Sequence, residues 1–240
     1  MKRQSLKKSI PGFLVPFARR LHFAATWDSW QTASWSQEGE DRILSRFFGH
    51  QADGFYVDVG AHHPKRFSNT YLFYRRGWRG VNIDAMPGSM AAFRRMRPRD
   101  INLECGVGRS EDTLTYHIFT EPALNGFSEK LSQSRHAADT SACLVETQPV
   151  RVRPLSDILG EHVAAGQTID FMSVDVEGLD LEVLRSNDWS RFRPKLILVE
   201  VLGNTWETLG SSEVTRFLSD LGYDIVAKCM NTVFFRSRGD

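Results

Sequence analysis

Apolar residues recur along this chain at two different periods, and the change from one to the other marks its elements. Ser36 stands where a helix cap belongs, followed by an acidic first turn (Glu38, Glu40, Asp41) and an apolar side of Ile43, Leu44, Phe47 and Phe48 at helical spacing. From Phe55 onward short apolar runs alternate with helical patterns. Phe55 to Val59 reads as a buried strand, Ser68 to Arg76 as a helix stopped by Gly77, and Gly80 to Asp84 as a second strand. Pro87 to Met96 follows as a helix opened by proline and closed before Pro98, then Ile101 to Cys105 as a third strand. Strand, helix, strand, helix, strand predicts a parallel sheet with right-handed crossovers.

The pattern then loosens. Thr113 to Phe119 alternates like an exposed strand, and residues 120–148 are polar and weakly periodic, a length that suggests a lid or substrate loop. Order returns with a short helix near Leu155 to Leu159, a strand Ile169 to Val174, a helix Leu179 to Leu184 and a strand Leu196 to Val201. A helix with Val214, Phe217, Leu218 and Leu221 on one face closes at Gly222. Tyr223 to Ala227 and Thr232 to Phe235, joined across Met230 and Asn231, read as an antiparallel hairpin. The expected fold is α/β and mostly parallel with a C-terminal antiparallel hairpin, the plan of Rossmann-like class I methyltransferases.

Composition adds little until charge is located. With 41% hydrophobic and 25% charged residues and no apolar run near the roughly 20 residues of a membrane span, the chain reads as an ordinary soluble one. Six basic residues and no acid fall in the first 23 positions, so a net charge of +1 conceals a body of 24 basic and 29 acidic residues. Residues 1–34 therefore read as a basic tail and 35–240 as one domain, with no electrostatic footprint for nucleic acid. Pro11, Gly12 and Pro16 interrupt the apolar stretch that a signal peptide would need. A weak contact with an anionic membrane surface through Phe13, Leu14, Val15, Phe17 and Phe23 is the sharper reading of the tail, and a solvated segment the plainer one. Cys105, Cys143 and Cys229 are odd in number and widely spaced, which suits buried thiols in a reducing cytoplasm.

The most informative segment is Tyr56-Val57-Asp58-Val59-Gly60-Ala61-His62-His63-Pro64, where a strand runs straight into a glycine turn. Ligands of open parallel sheets sit at such strand ends. The later glycines of the dinucleotide fingerprint are missing, and Asp58 would repel a pyrophosphate yet attract the cationic centres of S-adenosylmethionine. Asp84 lies 24 residues beyond Gly60, near the spacing at which an acid meets a ribose, although it can also cap the following helix. Asn102 and the turn Cys105-Gly106-Val107 stand where an adenine edge can be bound, or simply pack the third strand.

Ser173, Asp175 and Glu177 share one side of a later strand, with Glu200 ending its neighbour, so that three acids can converge. Glu177 as a helix cap and Glu200 as an arginine partner are the structural alternatives. Methyl transfer depends on positioning, and a hydroxyl acceptor also needs a base; His62, His63, Asp175 and Glu177 are the candidates. The three carboxylates suit magnesium chemically, but no metal is assigned.

Taken together, Ser36 to Asp41, the Val57 to Pro64 turn, Phe67-Ser68-Asn69-Thr70, Trp78 to Ala85, Glu121-Pro122-Ala123-Leu124-Asn125 and Ser173 to Gly178 resemble the FkbM family. The resemblance implies S-adenosylmethionine binding by Asp58, Gly60 with Ala61, and Asp84, with Asp175 and Glu177 at the active-site mouth. It also implies that Gln37 and Glu40 close over the donor, and that the acceptor is a hydroxyl of a sugar, glycan or small natural product. An NAD-dependent oxidoreductase and a non-catalytic glycan- or partner-binding module are the competing readings.

Overall fold

Seven strands in the order β3-β2-β1-β7-β8-β10-β9 form the central sheet of the structure, a computed structural model that describes residues 15–16, 31–127 and 143–239. These strands are β1 (Phe55–Val59), β2 (Arg79–Asp84), β3 (Ile101–Glu104), β7 (Phe171–Val174), β8 (Leu196–Glu200), β9 (Tyr223–Cys229) and β10 (Thr232–Ser237). β3, β2, β1, β7 and β8 run parallel, and β10 pairs antiparallel with both β8 and β9. The mostly parallel α/β sheet with its closing hairpin is thus as read from the sequence. Sheet and helices lie within the unit Trp35–Asp240, and most of the basic tail, with its membrane-surface reading, lies outside the described residues.

β1 and β7 are buried along their whole length because helices cover both faces of the sheet. One face packs against α4 (Leu155–His162), α5 (Asp180–Arg185) and α6 (Glu213–Asp220), through Ile158, Leu159, Val183, Leu184 and Leu218. The other packs against α1 (Glu40–Phe48) and α2 (Tyr71–Arg75), with Leu44, Phe73, Trp78 and Phe171 at its centre. α3 (Met90–Met96) forms a smaller cluster with Ala61.

A second sheet, ordered β4-β6-β5, joins β4 (Gly106–Val107), β5 (Asp112–Phe119) and β6 (Leu144–Arg153). It corrects part of the expected loop, because residues 144–148 belong to β6 and pair across to Tyr116–Phe119. Most of β6 is exposed, so its outward positions lack the apolar alternation that would have announced a strand. Residues 128–142 lie outside the described ones.

Three local readings also change. The first helix begins at Glu40 behind Gly39, whose φ is 92°, and Ser36 instead accepts the Asp41 N–H at 3.2 Å and donates to its carboxylate at 3.1 Å. α2 and α3 start three residues later than their patterns suggested. None of the three cysteines is buried; Cys143 is exposed, and Cys105 borders the cavity described below. No described helix is long and apolar enough to cross a membrane.

Candidate functional site

The carboxyl ends of β1, β2, β7 and β8 open into a cavity of about 520 Å³, a size ordinary for small-molecule sites. Its depth follows from one tight approach. Gly60 turns out of β1 with φ +83°, and a Cβ there would lie 1.7 Å from the carbonyl oxygen of Asp175. Only glycine lets the two strand ends come together at this point.

At the end of β2, Asp84 is buried and accepts two backbone N–H groups, from His62 at 2.7 Å and Met86 at 2.9 Å. Burial raises its carboxyl above the ordinary range, and those bonds oppose the rise. The His62 bond fixes a strained backbone, for His62 has φ 54°. Phe67, Glu177 and Met230 are the other described non-glycine residues with positive φ, and all four line the cavity. Strain concentrated in this way is typical of ligand sites.

Glu177 owes its position to Asp180, which accepts the N–H groups of Val176 and Gly178, both at 3.1 Å. Burial pushes the Asp180 carboxyl up to about 6. Nothing in the sequence pattern singled out Asp180, because an acid at a helix start reads as a dipole partner. Asp175, Glu177 and Glu200 converge as expected, offering carboxylate oxygens within 4.8 Å of one another. Desolvation at the strand end, followed by the charges of Glu200 and Glu177, raises the Asp175 carboxyl above the usual range, although its side chain is exposed to the cavity mouth.

The opposite wall is built by Glu121 to Phe127, and Glu121 is tied to Arg66 by two bonds of 3.0 and 3.1 Å. The pair is exposed, so its value lies in joining two loops rather than in stability. Asn69 lines the cavity and donates to Ser173 at 3.0 Å. Asn69 belonged to a motif and Met230 with Asn231 to the hairpin turn read from the sequence, but neither these nor Arg66 was assigned to the site, because each comes from a loop whose neighbours are set only by the fold.

Of the residues singled out from the sequence, Gln37, Glu40, Gly60, His62, Asp84, Gly106, Asp175 and Glu177 line the cavity. Asp58, Ala61, His63 and Asn102 do not. Asp58 sits on the strand face it shares with Tyr56, where it accepts the Thr70 hydroxyl at 2.7 Å. The cavity meets β1 at Val59 and Gly60. Ala61 packs against Met90 and Phe93. His63 Nδ1 accepts the N–H groups of Lys65 and Arg66 at 3.1 and 2.9 Å, which makes it the cap of its own turn. Asn102 bonds Asn82 and the backbone of Arg97 and Asp100, so it braces β2 against β3.

Burial pushes the Asp58 carboxyl from 3.8 up to about 6, against the favourable pull of Thr70 and Arg97. A raised folded pKa means that the folded protein keeps a proton the unfolded chain releases. The resulting stabilisation is complete below about pH 4 and lost as pH rises through about 6. Asp58→Asn has no charge to bury, and its stability relative to the native chain is expected to improve between pH 4 and 7. Urea melts across that range check this, and a difference independent of pH would refute it.

Comparison with known proteins identifies the family of the chain. The chain matches the Methyltransferase FkbM domain over residues 58–225, more than half of its length. It is 29% identical over 143 residues to the methyltransferase sdnD of Sordaria araneosa, covering 51% of this chain and 53% of that protein, so it spans about half the length of this curated relative. Among solved structures, an O-methyltransferase from Bacillus cereus in complex with SAH aligns with TM-score 0.43 and 10% identity, over 95% of this chain and 92% of that one. A TehB-like SAM-dependent methyltransferase from Corynebacterium glutamicum aligns with TM-score 0.40 and 9% identity, over 95% and 100%. With the family's domain matched from β1 to β9 and the cavity formed where those strands end, this chain belongs to the FkbM methyltransferases, whose methyl donor is S-adenosylmethionine.

Proposed function

We propose that this protein transfers the methyl group of S-adenosylmethionine to a hydroxyl oxygen of a sugar, glycan or small natural product, with His62 accepting the proton. The observation that carries the reading is the state of His62. Its ring lies in the cavity wall, stacked 6.1 Å from Phe67, and its enclosed Nε2 has no hydrogen-bond partner among the described residues. An enclosed polar atom left unsatisfied costs about 1–3 kcal/mol, and a turn of the ring toward the cavity would let an acceptor hydroxyl supply the missing hydrogen. Burial, then the Arg66 charge, lowers the His62 pKa below 6.5, so the ring is neutral and basic at pH 7.

The chemistry of the lining supports the donor. Gly60 lets the ends of β1 and β7 meet at the cavity, and Asp84 presents a carboxylate at the position suited to ribose hydroxyls. Glu40, Asp175, Glu177 and Glu200 suit a ligand that carries positive charge. Glu40 is buried at the base of α1 and is met by the Thr232 hydroxyl at 3.3 Å, which ties the leading helix to the hairpin. Bound there, S-adenosylmethionine would supply an electrophilic methyl group to the acceptor oxygen, its sulfur keeping the electron pair of the bond that is broken. The hydroxyl proton passes to His62, and the carboxylates favour the cationic donor over its neutral-sulfur product.

His62→Gln is expected to lower methyl transfer by about 100-fold or more while the donor Kd changes less than about threefold, and His63→Ala to spare both. Transfer by the native chain should persist as pH falls through the ordinary histidine range and decline only in more acidic solution, because the His62 pKa is lowered. Titration calorimetry and transfer of a labelled methyl group measure the two effects, and full transfer by His62→Gln would remove the histidine from the mechanism. Titration with NAD separates the oxidoreductase reading, and donor binding with no transfer at all would favour the non-catalytic one.

A further inference from the structure

Beyond the partition formed by Glu200 and Leu202, which belong to both walls, lies a second cavity of about 240 Å³. It is framed by the start of α5, the chain leaving β8 and the start of α6. Leu181, Val201, Leu202 and Val214 give it apolar walls, and Asn204 and Glu213 add polar groups. Asp180 also reaches it, but its carboxylate is held by the backbone of 176–178.

Charge along the two cavities is one-sided. Glu38, Glu40, Asp84, Glu121, Asp175, Glu177 and Glu200 line the larger one, and Asp180, Glu200 and Glu213 the smaller. Among the described residues the one lysine or arginine on either lining is Arg66, and it is held by Glu121 through both guanidinium nitrogens. Among the described residues, a phosphate or carboxylate on the acceptor's remote portion would meet Asp180, Glu200 and Glu213 and no lysine or arginine in the smaller cavity, whereas hydroxyl and ammonium groups find acceptors there.

We infer that the second cavity is an acceptor subsite, and that the acceptor is a hydroxylated molecule without negative charge, larger than the part methylated, whose remote portion lies between α5 and α6. This rests on the methyl-transfer reading, in which the reacting hydroxyl occupies the larger cavity beside His62. Apolar walls with a polar rim suit an extended ligand with one hydrocarbon-rich face, such as the edge of a second ring.

The test uses the full chain, donor labelled in its methyl group and a small-molecule metabolite extract, with products separated by ion exchange into anionic, neutral and cationic pools. Label is expected in the neutral and cationic pools. Val214→Trp, which fills the small cavity, should cut transfer at least tenfold with the donor Kd unchanged, and Asn204→Trp serves if that variant does not fold. Glu213→Lys, at an exposed position, should move label toward the anionic pool. Label mainly in anionic products of the native chain, or undiminished transfer by the filled variants, overturns the inference and leaves methyl transfer standing. A native chain that binds donor yet labels nothing defeats methyl transfer itself, and the subsite falls with it.

Discussion

Gly60→Ala is expected to abolish measurable donor binding and to destabilise the protein by about 3 kcal/mol, a melting temperature lower by roughly 6–12 °C. Two costs combine. A side chain at φ +83° is strained wherever it stands, and the added methyl would sit 1.7 Å from the Asp175 carbonyl, far inside contact distance. Both partners are backbone at the ends of core strands, and the N–H groups of Gly60 and Asp175 are already bonded to Ile83 and Val59. The strand ends must separate, and with them move His62, Asp84 and the acid trio. Calorimetric melts and titrations with S-adenosylmethionine check the two effects together. A variant that melts and binds like the native chain would show that the approach of β1 to β7 is not what shapes the cavity.

The second large effect is expected at Arg97. Its guanidinium is completely buried and pairs with Asp100 at 2.8 Å, while donating to the Tyr56 hydroxyl at 2.8 Å and to Thr70 at 3.0 Å. Asp100 also accepts from Gly80 N–H at 3.0 Å and from Asn82 at 3.0 Å. Arg97→Met strands this acid inside the protein, and breaking a buried pair from one side costs about 3–5 kcal/mol. Asp100→Asn removes the charge from the other side. The double variant should be far less destabilised than the sum of the two, because the second change removes the unpaired charge left by the first. Chemical denaturation of the four proteins measures the coupling, and strict additivity would refute a shared network. Donor affinity should also fall for Arg97→Met. Thr70 is held by Arg97 and itself donates to Asp58, and it directly follows the cavity residue Asn69.

These two expectations rest on different kinds of information. Gly60 was legible in the sequence, because an apolar strand that ends in glycine has few other uses. Arg97 was not. In the run Arg94-Arg95-Met96-Arg97-Pro98-Arg99-Asp100 it is one of four arginines, and local pattern gives no reason to bury that one. It is buried because α3 ends over the face of β1 that carries Tyr56 and Asp58, and those polar groups need a cation. The same fact explains the fate of Asp58. The sequence places an acid two residues before the turn glycine, but strand alternation turns its side chain into this network while the backbone of Val59 and Gly60 meets the cavity.

The sequence by itself determined the order of elements, the parallel sheet with its closing hairpin, and the collection of Gly60, His62, Asp84, Asp175 and Glu177 at one edge. It could do so because a buried sheet imposes a period of two and short connections deliver every loop to the strand ends. Tertiary structure alone decided which of two adjacent histidines enters the wall and which caps a turn. It alone also buried the Arg97 pair and joined Arg66 to Glu121, 55 positions apart. Those outcomes depend on groups that meet only across the folded chain, and hydrogen-bond satisfaction inside a low-dielectric interior is settled by such meetings rather than by neighbours in sequence.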